Sequence, residues 1–90
     1  MILLGLGSNL PSSFGDRFQN IDLAISYLES YKIKLIKKSS FYETPSYPNK
    51  KNPKFINVVI MIKTKFKPQQ LMKIILKIEK FMGRKIKYKN

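Results

Sequence analysis

The sequence predicts a single α+β domain whose elements follow one another in the order β-α-β-β-α. Three observations support this prediction: a first apolar run that ends at a glycine, two stretches with helical periodicity, and two stretches rich in alternating or β-branched residues. With 90 residues the chain is long enough for one small hydrophobic core.

The first half of the chain predicts a strand, a helix and a second strand. Residues 2–7 are an apolar run that passes into Ser, Asn and Pro, as at the end of a strand. Over about residues 16–30 apolar side chains recur at helical spacing, and Asp16 is placed to cap the first turn. The predicted apolar stripe is Phe18, Ile21, Ile25 and Leu28. Residues 33–42 are alternating and β-branched, which favours a strand.

The second half predicts a loop, a strand and a helix. Residues 44–54 contain three prolines and predict a long loop. Residues 55–66 give the strongest strand pattern, because Ile and Val fall on one face. Pro68 suits the first position of a helix, and Gly83 is a natural stop for it. The predicted buried stripe of this helix is Leu71, Ile74, Ile75, Ile78 and Met82.

This order is that of a ferredoxin-like βαββαβ sandwich without its last strand. Only seven residues follow Gly83, and most of them are basic or polar. We therefore expect no further element after the second helix.

The composition limits the classes of function. The formal charge of +13 suggests a nucleic-acid partner, but 16 of the 18 basic residues are Lys, and Arg is better suited to bidentate phosphate and base contacts. Cysteine is absent, so disulfides and thiolate chemistry are excluded, and histidine is absent too. No apolar run is long enough to span a bilayer. We expect a cytoplasmic protein without a membrane or nucleic-acid partner.

Two residues of the strongest strand suggest a binding site. Asn57 is unusual among Val, Ile and Met, and it points to the same face as Phe55. An aromatic face beside an amide suits a flat, polar-edged heterocycle. An asparagine that bonds a neighbouring loop backbone is an equally good interpretation. The glycines at 5 and 7 fit neither a dinucleotide fingerprint nor a Walker loop.

Charged residues near the second helix also leave two interpretations open. Glu79 lies at the edge of the apolar stripe, and Arg84 follows the helix-ending Gly83. Such a pair is usually a solvated helix end. The alternating lysines after it, such as Lys89, either follow phosphates or lie in solvent.

The order of six short blocks is more specific than any one of them. The blocks are Gly7-Ser8-Asn9-Leu10, Ser40-Phe41-Tyr42-Glu43-Thr44-Pro45, Pro53-Lys54-Phe55-Ile56-Asn57, Pro68-Gln69-Gln70-Leu71, Ile78-Glu79 and Gly83-Arg84. In this order the chain resembles the 6-hydroxymethyl-7,8-dihydropterin pyrophosphokinases from Ile2 to Asn90. The resemblance implies that residues 1–90 are the N-terminal portion of a single pyrophosphokinase domain.

The resemblance also implies roles for individual residues. Thr44, Pro45 and Tyr47 would line one side of a pterin pocket, Asn57 would bond the amide edge of the pterin, and Phe55 would stack on the ring. Phe55 stands where the family commonly has Tyr, so stacking is kept and a hydroxyl is lost.

The family's nucleotide site is also represented. Glu79, Arg84 and Lys89 would contact ATP, with Arg84 on a mobile catalytic loop, while Ser8 and Asn9 would shape the site from below.

The resemblance implies that the enzyme is a monomer that uses Mg²⁺ and transfers diphosphate from ATP to 6-hydroxymethyl-7,8-dihydropterin. Its metal-binding Asp-x-Asp pair has no counterpart among the five acids of this chain and would lie beyond Asn90. We therefore expect weak pterin binding and no turnover for these 90 residues alone. We also expect low solubility, because the sheet without its last strand keeps an unpaired edge. A small basic RNA-binding module of the same topology is the alternative, and a catalytically dead remnant or assembly subunit is a third interpretation.

Overall fold

The described part of the computed structural model comprises residues 1–9, 15–45 and 53–83, together with the backbone of residues 87–89. It contains two helices and five strands. In chain order they are β1 (Ile2–Ser8), α1 (Arg17–Ser30), β2 (Lys34–Lys38), β3 (Tyr42–Thr44), β4 (Phe55–Lys63), α2 (Pro68–Phe81) and β5 (Lys87–Lys89).

The strands form one antiparallel sheet in the order β2-β4-β1-β5, and β3 also pairs with β4. Both β2 and β3 lie on the edge of β4 away from β1, at opposite ends of it, so the sheet is four strand positions wide. Ser39 lies between β2 and β3 and forms hydrogen bonds with Val59 of β4. Its N–H donates to the Val59 carbonyl at 2.9 Å, and its Oγ accepts from the Val59 N–H at 2.9 Å.

The core lies between the helices and one face of the sheet. Alternation along β4 places Ile56, Val58, Ile60 and Ile62 in this core, where they pack with Leu4 and Leu6 of β1. The predicted stripe of α2 is buried in full, from Leu71 to Met82. In α1 the stripe is buried except for Phe18, which is 41% exposed and packs edge-on against Phe41 with ring centroids 5.1 Å apart.

The helix termini follow from local chemistry. Asp16 caps α1: its carboxylate accepts from the Gln19 N–H at 2.8 Å, and its own N–H donates to Gln19 Oε1 at 2.8 Å. Pro68 begins α2, where a missing N–H costs nothing. Gly83 follows its end with a φ of 65°, a conformation that glycine adopts without steric cost.

Two predictions of the strand order are wrong. Residues 33–42 do not form one strand, because β2 ends at Lys38 and the residue pairing with β4 begins again at Tyr42. Within β2 the register also shifts between Leu35 and Lys37. The expectation that no strand follows α2 is also wrong, since β5 pairs with residues 5–7 of β1. A three-residue strand that uses backbone hydrogen bonds needs no apolar face, and for this reason the basic composition after Gly83 did not reveal it.

An antiparallel sheet with two helices is compatible with a ferredoxin-like fold. Neither helix of the described chain is long and apolar enough to cross a membrane.

Candidate functional site

The face of the sheet away from the helices holds a pocket of about 190 Å³ that extends across β4 to its neighbours β1 and β3. Its lining residues are Gly5, Leu6, Gly7, Tyr42, Thr44, Phe55 and Asn57. The volume is below the roughly 300–1,000 Å³ of drug-sized ligand pockets, so the described walls suit one small ring system.

The strand register assembles this pocket. Odd-numbered residues of β4 point away from the core, which places Phe55 and Asn57 on the same open face. Tyr42 lies directly opposite Asn57 and Thr44 directly opposite Phe55, so their side chains share that face. On the other edge of β4, Gly7 lies opposite Asn57.

The Asn57 amide is anchored at its nitrogen end. Nδ2 donates to Thr44 Oγ1 at 2.8 Å and has longer contacts with the carbonyl oxygens of Tyr42 at 3.3 Å and Phe55 at 3.4 Å. Because acceptors surround this end, it must be the NH₂ group. The other end, Oδ1, accepts no hydrogen bond from the described residues.

Gly7 makes room for that oxygen. A Cβ at this position would lie 2.8 Å from Asn57 Oδ1 and 3.4 Å from Phe55 Cδ1. The first distance is shorter than real contacts allow, so any side chain here would displace the amide. Glycine at position 7 therefore keeps Asn57 Oδ1 and the Phe55 ring beside each other.

This arrangement combines a half-buried ring with a fixed acceptor. A flat heterocycle against Phe55 would gain apolar and stacking contact, and a ring N–H or amino group at its edge could donate to Asn57 Oδ1. The Asn57 side chain does bond neighbouring backbone, as one sequence interpretation held, but through Nδ2 alone. The two interpretations of Asn57 are therefore compatible.

The other predicted pterin and ATP residues are placed as follows. Pro45 is exposed directly after β3, next to Thr44. Glu79 is half-buried on α2, and Lys89 pairs through its backbone with Gly5. Tyr47 and Arg84 lie outside the described residues. The structure thus brings Thr44, Phe55 and Asn57 together.

Ser8 faces the core rather than the pocket. It is fully buried, and its Oγ accepts from Asn20 Nδ2 at 3.2 Å. Asn20 was not predicted as a notable residue, although its spacing to Ala24 and Leu28 places it on the buried side of α1. This buried hydrogen bond connects α1 to the last residue of β1, which follows Gly7 and faces the opposite side of the sheet.

Arg17 forms a second hydrogen bond between α1 and the neighbourhood of the site. Its Nη1 donates to the Lys54 carbonyl at 2.8 Å, one residue before β4 and the ring of Phe55. The sequence gives no periodic signal for this bond, because it joins residues 37 positions apart.

The described residues do not fit a Mg²⁺ site. Among them no group of three or more Asp, Glu, His or Cys side chains could hold a metal ion. Mg²⁺ requires oxygen ligands in near-ideal octahedral geometry. No catalytic step through a metal is therefore assigned to these residues.

Fold and pocket together define an α+β domain with a small, polar-edged pocket on the open face of its sheet. The family model described as 7,8-dihydro-6-hydroxymethylpterin-pyrophosphokinase (HPPK) matches residues 3–90, and the chain belongs to this family. The resemblance of the six blocks is thereby confirmed, and the RNA-binding alternative receives no support.

Relatives in three organisms show the extent of the match. A 2-amino-4-hydroxy-6-hydroxymethyldihydropteridine pyrophosphokinase of Aquifex aeolicus is 39% identical over 88 residues, which are 98% of this chain and 52% of the relative. Its counterpart in Porphyromonas gingivalis is 33% identical over 84 residues, 93% of this chain and 54% of the relative. A folate synthesis bifunctional protein of Arabidopsis thaliana is 36% identical over 83 residues, 92% of this chain and 16% of the relative. The chain thus spans about half the length of the two bacterial pyrophosphokinases.

Proposed function

We propose that this chain forms the pterin-binding part of an enzyme of folate biosynthesis. The enzyme transfers diphosphate from ATP to 6-hydroxymethyl-7,8-dihydropterin. Family membership supports the reaction class, and the pocket at Phe55 and Asn57 supports the site.

The observation that carries the proposal is the one-sided anchoring of Asn57. With Nδ2 bound to Thr44 Oγ1 at 2.8 Å, the amide cannot rotate freely and presents Oδ1 beside the ring of Phe55. A pterin has hydrogen-bond donors on the pyrimidine edge of its ring, and one such donor would reach Oδ1 while the ring lies against Phe55. Pro45 and Tyr47 would complete the side of the pocket formed by Thr44.

The hydroxymethyl oxygen of the bound pterin attacks the β-phosphorus of ATP in this proposal. The bond from that phosphorus to the α,β-bridging oxygen breaks, the hydroxyl proton is released, and AMP leaves. Positioning and neutralisation of charge supply most of the rate enhancement in such transfers. Glu79, Arg84 and Lys89 are assigned to ATP, and Arg84 is assigned to stabilise the developing negative charge.

Family members are expected to use Mg²⁺ to neutralise the phosphates. Since the described acids do not fit that ion, the absence of AMP formation by these 90 residues stays a prediction. The ferredoxin-like βαββαβ topology, the monomeric state and the cytoplasmic location are proposed on the same resemblance.

Asn57→Ala tests the proposed pocket. We expect this change to weaken the binding of 6-hydroxymethylpterin at least tenfold, because a half-buried acceptor and the contact it makes are removed together. Titration followed by the pterin's own fluorescence measures the dissociation constant. Val59→Ala, on the same strand and face but outside the pocket lining, is the matched control and should leave the constant unchanged.

Substitutions of Thr44 provide a second test, in which the Asn57 side chain itself is not changed. Thr44→Val removes the acceptor of the 2.8 Å bond, whereas Thr44→Ser keeps it. We expect weaker pterin binding in the first variant and near-normal binding in the second. Equal affinities of the parent chain, Asn57→Ala and Thr44→Val would contradict the proposed pocket.

A further inference from the structure

A second cavity, of about 640 Å³, lies at the far end of β4 from the pterin pocket. It is lined by residues around the start of β2 and the end of β4, including four lysines, Lys32, Lys34, Lys63 and Lys65. We call it the lysine pocket. Lys63 lies six residues beyond Asn57, which is about 20 Å along an extended strand. The lysine pocket is therefore separate from the site described above.

Two of these lysines face each other directly. Lys34 and Lys63 are register partners in the antiparallel pair of β2 and β4, so their side chains leave the sheet on the same face. Like charges in this position are destabilising. No described acid forms an ion pair with either lysine; the ion pair in this part of the chain joins Lys38 to Asp22 at 3.6 Å.

Lys32 adds a third charge at a conformational cost. It follows the last turn of α1 with a φ of 62°, in the left-handed region where glycine or asparagine is usual. Lys32 therefore contributes positive charge to the lysine pocket although its left-handed backbone conformation is unfavourable for a residue with a side chain.

The remaining lining residues of the lysine pocket are two aromatic residues and a threonine. Tyr31 and Phe66 line the lysine pocket together with Thr64. Thr64 Oγ1 accepts from the Phe66 N–H at 3.1 Å, which fixes the turn after β4. Phe66 is partly buried against the core, so its ring is supported on one side by core side chains.

We propose that the lysine pocket binds a phosphate ester that carries several negative charges. Lysine ammonium groups bind phosphate as compact point charges, and a multiply charged ligand would remove the repulsion between Lys34 and Lys63. The volume lies within the range of small-molecule sites. Tyr31 and Phe66 provide an apolar surface for the organic part of the ester.

Inorganic triphosphate is the probe for the charged part of this ligand. NMR titration of the chain should show saturable shifts of the Thr64 and Phe66 amides, and Lys63→Gln should weaken binding about tenfold, as expected for one lost charge-assisted contact. Lys73→Gln, an exposed lysine of α2 outside the pocket lining, changes the net charge equally and should have little effect.

Thermal unfolding gives an independent measurement. Without triphosphate, Lys63→Gln should unfold at a higher temperature than the parent chain, because the repulsion with Lys34 is gone. Addition of triphosphate should raise the unfolding temperature of the parent chain more than that of Lys63→Gln.

Three results would overturn the proposal. The first is equal weakening by Lys63→Gln and Lys73→Gln, which would indicate general attraction to a chain of charge +13. The second is a set of NMR shifts confined to amides near lysines outside the lysine pocket. The third is a lower unfolding temperature for Lys63→Gln in the absence of triphosphate.

Discussion

Asn57 is held at one end of its amide and accessible at the other. The nitrogen end bonds to Thr44, and the oxygen end lies above a glycine. An asparagine in a buried strand usually indicates that its partners come from the protein itself. Here the partners satisfy the donors only, which leaves an acceptor for a ligand. The chemical preference of the pocket is thus for a ligand that donates at its edge.

Gly7→Ala tests this preference without altering any pocket side chain. A Cβ 2.8 Å from Oδ1 must push the amide aside, so we expect pterin affinity to fall about tenfold or more. Double-mutant analysis with Asn57→Ala measures whether the effect passes through the amide. If it does, the double variant binds no more weakly than Asn57→Ala alone. Additive losses would show that Gly7 acts by another route.

Part of the pocket could be predicted from the sequence. Phe55 and Asn57 share a face because side chains alternate along any strand. The role of Gly7 could not be predicted, because its approach to Asn57 depends on the register between two strands 50 residues apart, and register is not encoded in either strand alone.

At the scale of the elements, the start of α1 supports the rim of the site. The capping box of Asp16 and Gln19 fixes the first turn, and Arg17 in that turn bonds the backbone just before β4. The capping residue was predicted from the sequence, because a local signal suffices for it. The Arg17 bond is long-range and has no such signal.

Asp16→Ala should lower the free energy of unfolding by about 1 kcal/mol, the usual cost of losing such a cap. Urea unfolding followed by circular dichroism measures this change. Asp22→Ala is the matched control. Asp22 is an exposed acid of the same helix whose ion pair with Lys38 is 3.6 Å long, and such pairs contribute about 0–1 kcal/mol. An equal effect of the two changes would show that the cap does not stabilise α1.

The edge formed by β2 and β3 shows where element prediction fails. Residues 33–42 have strand composition throughout, and composition does not reveal a register shift. The interruption has a structural consequence, because β3 resumes pairing with Tyr42 and Thr44 on the open face beside Phe55 and Asn57. Prediction from the sequence assigned residues 33–42 to one strand and missed the break between β2 and β3.

For the whole molecule, the open face of the sheet is the surface most relevant to the solubility prediction. Low solubility was predicted from an unpaired strand edge, but β5 pairs with residues 5–7 of that edge. Apolar surface remains instead on the face away from the helices, where Leu3 is 56% exposed next to Val59 and Met61. Exposed patches of this kind favour association.

Leu3→Thr should therefore raise the soluble fraction of the expressed chain while the urea midpoint changes little, because threonine suits a strand and Leu3 is outside the core. Centrifugation followed by quantification of the supernatant measures the soluble fraction. Leu76→Thr, an exposed leucine on α2, is the control for a general loss of apolar surface. Equal gains from both changes would contradict the assignment to the open face.

Both pockets depend on the same nine-residue strand. Asn57 and Lys63 are an even number of positions apart, so β4 presents both on one face only while its isoleucines stay inside. If β4 slipped past its neighbours by a single position, the amide and the ammonium group would turn into the core and the isoleucines would turn outward. A mutation that shifted this register would therefore disrupt both pockets together.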